Sequence, residues 1–504
     1  MGKTSDDTDL LLKLTSDADL FCTKWGEPYV DCVSNGVRHT YPLRSDEFEG
    51  WLGWRFYRET GRAIRQAPML NVLAALSARA LMDSNTHSLF LRVANAGDKL
   101  YLDLANDRGE VVEITSMGWK LVTECPVRFR RPRGLAPLPK PAPNGHIGLL
   151  RPFLGNIGDC GFALVVGWLL NILNGPLLQP ILIFTGPQES AKSFATKFTR
   201  SILDPHIDPL SSLPTTTAEF GRAINKGLIQ AWDNISQIKP SISDTLCRIS
   251  TGGFDCRYTP GVRLCDSDTR PMMLNGIVEF VERPDLAARA LFVPLRPIER
   301  QLTSKELDLR FSRDWPKILG ALLDAAVYGL AGGKALTKPV GRFVDMEQWV
   351  SRCEAKLTLQ QKFSAAYAES KGIADDALAD ADPLCGLLVG FIEERGSFIG
   401  TPTDFWAALK QRNVGTRSLP RFPGSAAILS SRLNRLTPIL KRQGITITPD
   451  RGGQKGTRSM LVQRESSLSA VPPEKVKTVR AGAKETRKGH DQLSLALADD
   501  TDDV

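Results

Sequence analysis

The sequence predicts an α/β protein, and three observations carry that expectation. Four short stretches, ILIFT (181–185), GLIQAW (227–232), PMMLN (271–275) and ALFVPL (290–295), are apolar throughout. That suits strands covered by helices on both faces. Helical patterns alternate with them. Between ILIFT and the amphipathic pattern FATKFTRSIL, Gly186, Lys192 and Ser193 stand at the spacing of a phosphate-binding loop. A strand before such a loop and a helix after it is the context the motif requires.

The remaining elements flank this centre. Residues 1–127 read as a small α+β module, in which FCTKWGEPYVDCV and VRHTYPL are short strands. SDEFEGWLGWRFYRET is a helix capped at Ser45, APMLNVLAALSARALMD a second helix, and SLFLRVANAGDKLYLDLAN a hairpin. A Pro/Arg-rich linker (128–149) follows, whose prolines favour extended, solvated backbone. It packs Arg128, Arg130, Arg131 and Arg133 around Phe129, as either a nucleic-acid contact or a solvated basic tether. The α/β core spans 150–300, a helical region 301–378, and a third module 379–465. The tail, 466–504, is polar, low in aromatics and expected to be disordered.

At 504 residues the chain has room for about three domains. Its 42% hydrophobic and 24% charged residues describe a globular protein. The net charge of +8 and pI near 9.0 favour a polyanionic partner, the more so because the last residues, LADDTDDV, are acidic. Nine scattered cysteines without a C-x-x-C pair, and only five histidines, argue against a zinc site. They fit free thiols in a reducing compartment. FALVVGWLLNIL is too short to cross a bilayer, and the first residues lack the apolar core of a signal peptide. A cytoplasmic protein with no membrane partner is expected.

Phosphate loops work because backbone N–H groups at a helix N-terminus converge on an anion. The loop here is Gly186, Pro187, Gln188, Glu189, Ser190, Ala191, Lys192 and Ser193. Lys192 supplies charge to the β/γ-phosphates of ATP, and the Ser193 hydroxyl is the contact for Mg²⁺. Ala191 stands where the motif has its second glycine. If that position is left-handed, its Cβ costs about 1–2 kcal/mol, which weakens the loop without abolishing it. Downstream, IQAWDNIS ends an apolar strand on Asp233, placed to hold Mg²⁺ beside Ser193. RPMMLNGIVEF puts Asn275 at the end of another strand, where a polar side chain can orient water. ERPDLAARALFV brings Arg283 and Arg289 close to the last strand.

The run GPQESAKS … AWDN … TGGFDCRYTPGVRLCDSDTRP … LNG … RPDLAARA resembles the ATPase domain of superfamily-3-type AAA+ helicases. It is most similar to the replication ATPases of phages, plasmids and integrated mobile elements, a primase-associated helicase family. The resemblance implies a three-layer αβα AAA+ core. It also implies that Lys192, Ser193 and Asp233 match the Walker residues and Asn275 the polar sensor called motif C. Arg289, and less closely Arg283, match an arginine finger acting in trans on a neighbouring subunit's ATP. Minichromosome maintenance helicases also carry alanine before the Walker lysine. Asn234 departs from the pattern, because many AAA+ proteins place a catalytic glutamate there and an amide is no general base. Asp233, Asp255, Glu279 and Glu282 are the alternatives.

In the resembled family the region 251–268 is a hairpin that points into a central pore. Here Arg257, Tyr258 and Arg263 flank its turn, pairing phosphate contacts with an aromatic for base stacking. An ordinary surface hairpin is the bland alternative. In the third module, Ala427, Leu429, Leu433, Leu436 and Leu440 form a helical stripe, with Arg432, Arg435, Lys441 and Arg442 mostly off it. Two strands joined by a basic turn containing Lys455 follow. Helix plus basic hairpin is similar to a winged helix, used for duplex DNA or for protein contacts.

The sequence thus predicts an ATP- and Mg²⁺-dependent DNA helicase or translocase of a mobile element. It would act as a homo-oligomer, expected to be a hexameric ring on single-stranded DNA, with any priming left to a partner primase. The rival is an ATP-gated DNA-binding or assembly protein with little hydrolysis. A small-molecule kinase would leave the arginine finger, hairpin and basic module without a purpose.

Overall fold

The computed structural model describes residues 2–83, 85–175, 178–253, 269–276, 280–298, 303–332, 338–381, 383–415, 422–450 and 459–464. Its centre is a five-stranded sheet. The four long strands are β1 (Ile181–Thr185), β2 (Gln230–Ile235), β3 (Met272–Gly276) and β4 (Ala290–Arg296). They run parallel in the order β4-β1-β3-β2, and the short strand Asn156–Ile157 adds antiparallel to the outer edge of β4. The strand that leads into the loop at Gly186, β1, and the strand that carries Asp233, β2, are therefore not neighbours. β3, which carries Asn275, lies between them.

Alternate side chains along these strands enter two different cores, as the period of a strand dictates. Leu182 and Phe184 of β1 face a core shared with the helix α1 (Asp159–Leu173), and Ile181 and Ile183 face the opposite one. This two-sided burial explains why the strand stretches are apolar without alternation. α1 is buried from Gly161 to Leu173 without a break, as its continuous apolar run requires. Helix α2 (Lys192–Leu203) follows the loop after β1, and α3 (Pro240–Thr251) follows β2. Helices α4 (Ser304–Leu330), α5 (Val344–Glu354) and α6 (Phe363–Ala381) form the expected helical region. Thr303 and Glu306 close a reciprocal capping box at the start of α4.

The N-terminal residues build two units. Helices Gly2–Leu14, Asp46–Thr60 and Gln66–Met82 pack with a three-stranded antiparallel sheet around Leu11, Val30, Phe48, Leu52 and Leu76. Ser45 caps the second helix by accepting from the Phe48 N–H at 3.3 Å. The expected hairpin, Val93–Ala96 with Lys99–Asp103, belongs to a four-stranded sheet completed by Val111–Thr115 and Gly118–Val122. Its Leu100, Leu102, Val112 and Ile114 enter the core that holds α1. The hydrophobic core thus does not divide at the connector.

Nor is the connector solvated. Arg128 binds Asp31 and Asp19, each at 2.7 Å. Arg131 forks onto Asp103 at 2.7 and 2.8 Å, and Arg133 pairs with Asp46 and Glu47. Its acidic partners supply what proline composition does not predict.

The C-terminal module also joins the central sheet. Helices Pro383–Arg395, Pro402–Gly415 and Ala426–Arg442 precede strands Ile445–Asp450 and Ser459–Arg464. A third strand, Ser397–Gly400, pairs with the last of these. Leu388, Phe391, Leu429, Leu433 and Leu440 share the core of Ile181 and Ile183.

Candidate nucleotide-binding site

The chain leaves β1 at Thr185 and turns at Gly186, whose φ is +151°. A Cβ there would run into the Leu295 carbonyl oxygen of β4, so only glycine fits. Glu189 (φ 63°) and Ala191 (φ 57°) are both left-handed. The loop therefore demands at Ala191 the backbone that its second glycine would have supplied. Ser190, fully buried, closes the loop by donating to the Pro187 carbonyl at 2.8 Å. Ala191 gives α2 no side-chain cap, which leaves the first N–H groups of that helix available to an anion.

Lys192 folds back over this loop. Its ammonium donates to the carbonyls of Gly186 (2.9 Å) and Pro187 (2.6 Å) and to Ser190 Oγ (3.3 Å). Burial pushes its pKa down, and nearby Asp233 opposes the shift. Ser193, the next residue, donates to Asp233 Oδ1 at 2.8 Å. A hydroxyl and a carboxylate side by side are the oxygen donors a hard cation takes. Among the described residues no group of three or more His, Cys, Asp or Glu could hold a metal. The donor set fits Mg²⁺ that keeps water and phosphate oxygens as its other ligands.

β2 is irregular at the site. Its register to β3 shifts between Trp232 and Ile235, and Asn234 within that bulge has φ 55°. The Asn234 N–H donates to Asn275 Oδ1 at 2.9 Å, and Asn275 Nδ2 donates to Thr196 Oγ1 at 3.0 Å. Thr196 in turn donates to the Lys192 carbonyl at 2.8 Å. Asn275 is only 1% exposed, so both ends of its amide are spent on joining the β2 bulge to α2. Thr196 lies one turn beyond Lys192, and nothing in its local spacing singled it out. Ser211 is not singled out by local spacing either: its carbonyl accepts from the Asp233 N–H at 3.0 Å and fixes the outer side of β2.

The arginines stand elsewhere. The carbonyl of Arg289 accepts from the N–H of Ile181 at 2.9 Å, at the start of β1, whereas the loop follows its end. Five residues of strand separate them by about 17 Å. Arg289 Nη1 donates to the Asp285 carbonyl at 2.7 Å, and its buried Nε has no partner. Arg283 is tied to α3 through the Pro240 carbonyl (2.9 Å) and Asp244 (2.9 Å). Neither meets the loop of its own chain.

Arg257, Tyr258, Arg263 and Lys455 lie outside the described residues, as do Asp255, Glu279 and the tail 466–504. Pro187, Gln188 and Glu189 are exposed on the loop, and Glu282 is exposed before β4. In helix Ala426–Arg442, Leu429, Leu433, Leu436 and Leu440 are buried, while Ala427 is exposed and drops out of the expected stripe. Arg432 is half-buried and Lys441 exposed; Arg435 and Arg442 lie on the same helix.

Comparison with known families supports a replication-associated role. Residues 154–376 match the model of the actinomycete integrative conjugative element replication protein, and 385–478 match the C-terminal domain of the same family. The chain is similar to replication proteins of actinomycete conjugative elements. The first match begins just before α1 and ends in α6; the second covers the C-terminal module from 385 onward. Comparison with curated proteins gives no match. Among solved structures, the apo NrS-1 C-terminal region is 13% identical, covering 91% of this chain and 99% of its own, with a TM-score of 0.39. The SCCmec type IV Cch active helicase is also 13% identical, covering 89% and 93%, with a TM-score of 0.39. Among the described residues no helix is long and apolar enough to cross a membrane.

Proposed function

We propose that this replication protein is an ATP- and Mg²⁺-dependent DNA helicase or translocase of the AAA+ kind, assembled as a ring and acting on single-stranded DNA. The observation that carries this reading is the 2.8 Å hydrogen bond between Ser193 and Asp233. It joins the helix that opens at Lys192 to a strand two places away in the sheet. A strand-to-helix turn with no nucleotide role has no need of that contact. The strand order, with the Asn275 strand between those of the loop and Asp233, supports the same reading.

The residues divide the work. The N–H groups at the start of α2 and the Lys192 ammonium would hold the phosphates, and Ser193 and Asp233 would hold Mg²⁺. Bound Mg²⁺ supplies charge neutralisation at the phosphates. Asn275 positions the β2 bulge against α2. Arg289, about a strand's length from its own loop, is left to act on the loop of a neighbour. The Arg257–Arg263 segment would contact single-stranded DNA, and the C-terminal module, winged-helix-like in its helix and strand pair, would take duplex DNA. A primase from elsewhere would supply primers.

One observation favours a second reading. Asn234 occupies a left-handed bulge and offers no general base, which suits an ATP-gated DNA-binding protein with little turnover. Strand displacement separates the two. The helicase reading expects ATP-dependent unwinding of a forked duplex that vanishes in Lys192→Ala. ATP-dependent DNA binding without unwinding supports the second reading instead.

A further inference from the structure

We propose that a cleft between the N-terminal module, the connector and the segments between α2 and β2 binds the phosphodiester backbone of single-stranded DNA. This site is additional to the Arg257–Arg263 segment and the C-terminal module, and it rests on the reading of DNA as the protein's substrate. The cleft has a volume of about 650 Å³. One wall is the end of the third N-terminal strand and the start of the helix after it, the floor is the connector from Arg130 to Gly134, and the far wall comes from His206–Asp208, Arg222, Asn225 and Lys226.

Its charges are unevenly spent. Of the cations lining it, Arg131 is held by Asp103, and Arg133 by Asp46 and Glu47. Arg130, Arg222 and Lys226 make no side-chain hydrogen bond or ion pair among the described residues. Arg130 stands out, because its buried Nη1 has no acceptor among the described residues. A buried donor left unmade is costly, and a shift of this side chain towards an anion in the cleft satisfies it. Asp208 is the one lining carboxylate not engaged in an ion pair among the described residues. Among the described residues, Arg130 and Lys226 have no charged partner and Arg222 has only Glu219 nearby, against one lining carboxylate outside an ion pair, and this surplus selects a polyanion over a peptide of mixed charge. Tyr41, stacked on His39 at 5.7 Å, lines the same wall and gives it aromatic character suited to bases.

The position separates this cleft from the nucleotide site. His206–Asp208 follow the C-terminal end of α2, whose N-terminal end carries Lys192, and the twelve residues of that helix span about 18 Å. A strand held here would touch the N-terminal module and the ATPase core together.

The test uses the full chain and a labelled oligo-dT, with binding followed by anisotropy across salt concentrations. The triple variant Arg130→Gln, Arg222→Gln, Lys226→Gln is expected to bind roughly tenfold more weakly. Its plot of log affinity against log salt should be shallower by about 2, the value for three lost phosphate contacts on a single strand. ATP turnover without DNA should be unchanged. Lys226→Glu, at an exposed position, repeats the experiment without touching the buried arginine. Wild-type affinity and salt slope in both variants overturn the cleft and leave the helicase reading standing, provided Arg263→Ala still weakens binding. No oligo-dT binding by the wild type overturns both.

Discussion

The hydroxyl of Ser193 lies 2.8 Å from Oδ1 of Asp233, so the first turn of α2 is bonded to a strand that is not adjacent to the strand before the loop. The contact puts both donors of the proposed Mg²⁺ site on separate rigid elements. Ser193→Ala and Asp233→Asn should each lower ATP turnover by roughly a hundredfold or more, the scale of losing a group that stabilises transition-state charge. Steady-state ATPase measurement across Mg²⁺ concentrations checks this. Turnover within a few fold of wild type in both variants would remove the metal role.

Ala191 pays for its φ of 57° with backbone strain that glycine would not carry. Ala191→Gly therefore should not destabilise the protein. The relief of about 1–2 kcal/mol exceeds or balances glycine's entropic penalty of about 0.5–1 kcal/mol. Thermal unfolding should show an unchanged or higher midpoint, with ATPase activity retained. A clear fall in the midpoint would contradict the account of the loop.

Arg92 and Asp204 form a fully buried pair at 3.5 Å, which joins the N-terminal four-stranded sheet to the end of α2. Asp204 also accepts from the Ile229 N–H at 2.8 Å, just ahead of β2. Arg92→Leu should destabilise the protein by less than the roughly 3–5 kcal/mol of a fully orphaned buried charge, because Arg200 at 4.0 Å and the Ile229 N–H still face the Asp204 carboxylate. Adding Asp204→Asn should recover part of that loss. Denaturant unfolding of the single and double variants tests the coupling, and a strictly additive double variant would contradict it.

His39, His87 and His206 all have pKa values pushed below the ordinary range, chiefly by burial, with Arg131, Arg128 and Arg200 adding repulsion. The folded protein then binds these protons less readily than the unfolded chain. Stability is fully retained above the unfolded value near 6.5 and falls as pH drops through it towards the lower folded values. Unfolding midpoints should decline between pH 7.5 and 5.5. A rise over that interval would mean that other groups dominate.

Much of this was legible in the sequence, and the reasons differ by element. β1 and β3 were readable because burial on both faces keeps them apolar up to their ends, where Thr185 and Asn275 are the polar positions. β2 was displaced by three residues, since its apolar run starts where Leu228 and Ile229 are held before the strand begins, and its end is the Asp233–Asn234 bulge. The loop residues fell together because their spacing is local. Thr196 and Ser211 could not be found that way, because their contacts cross between elements. The connector misled through composition: prolines read as solvated chain, while the carboxylates that bind its arginines are tens of residues away in sequence. Asn275 was legible as a polar strand end, but its bonds to Asn234 and Thr196 follow from strand order alone.

The most direct test of the account is ATP turnover with and without single-stranded DNA, in wild type, Lys192→Ala, Arg289→Ala and a mixture of the two variants. The account predicts DNA-stimulated turnover in wild type and near-background rates in each variant alone. The mixture should recover partial activity, as an intact loop from one subunit meets an intact Arg289 from another. Wild-type turnover no higher than that of Lys192→Ala would contradict the account at its centre.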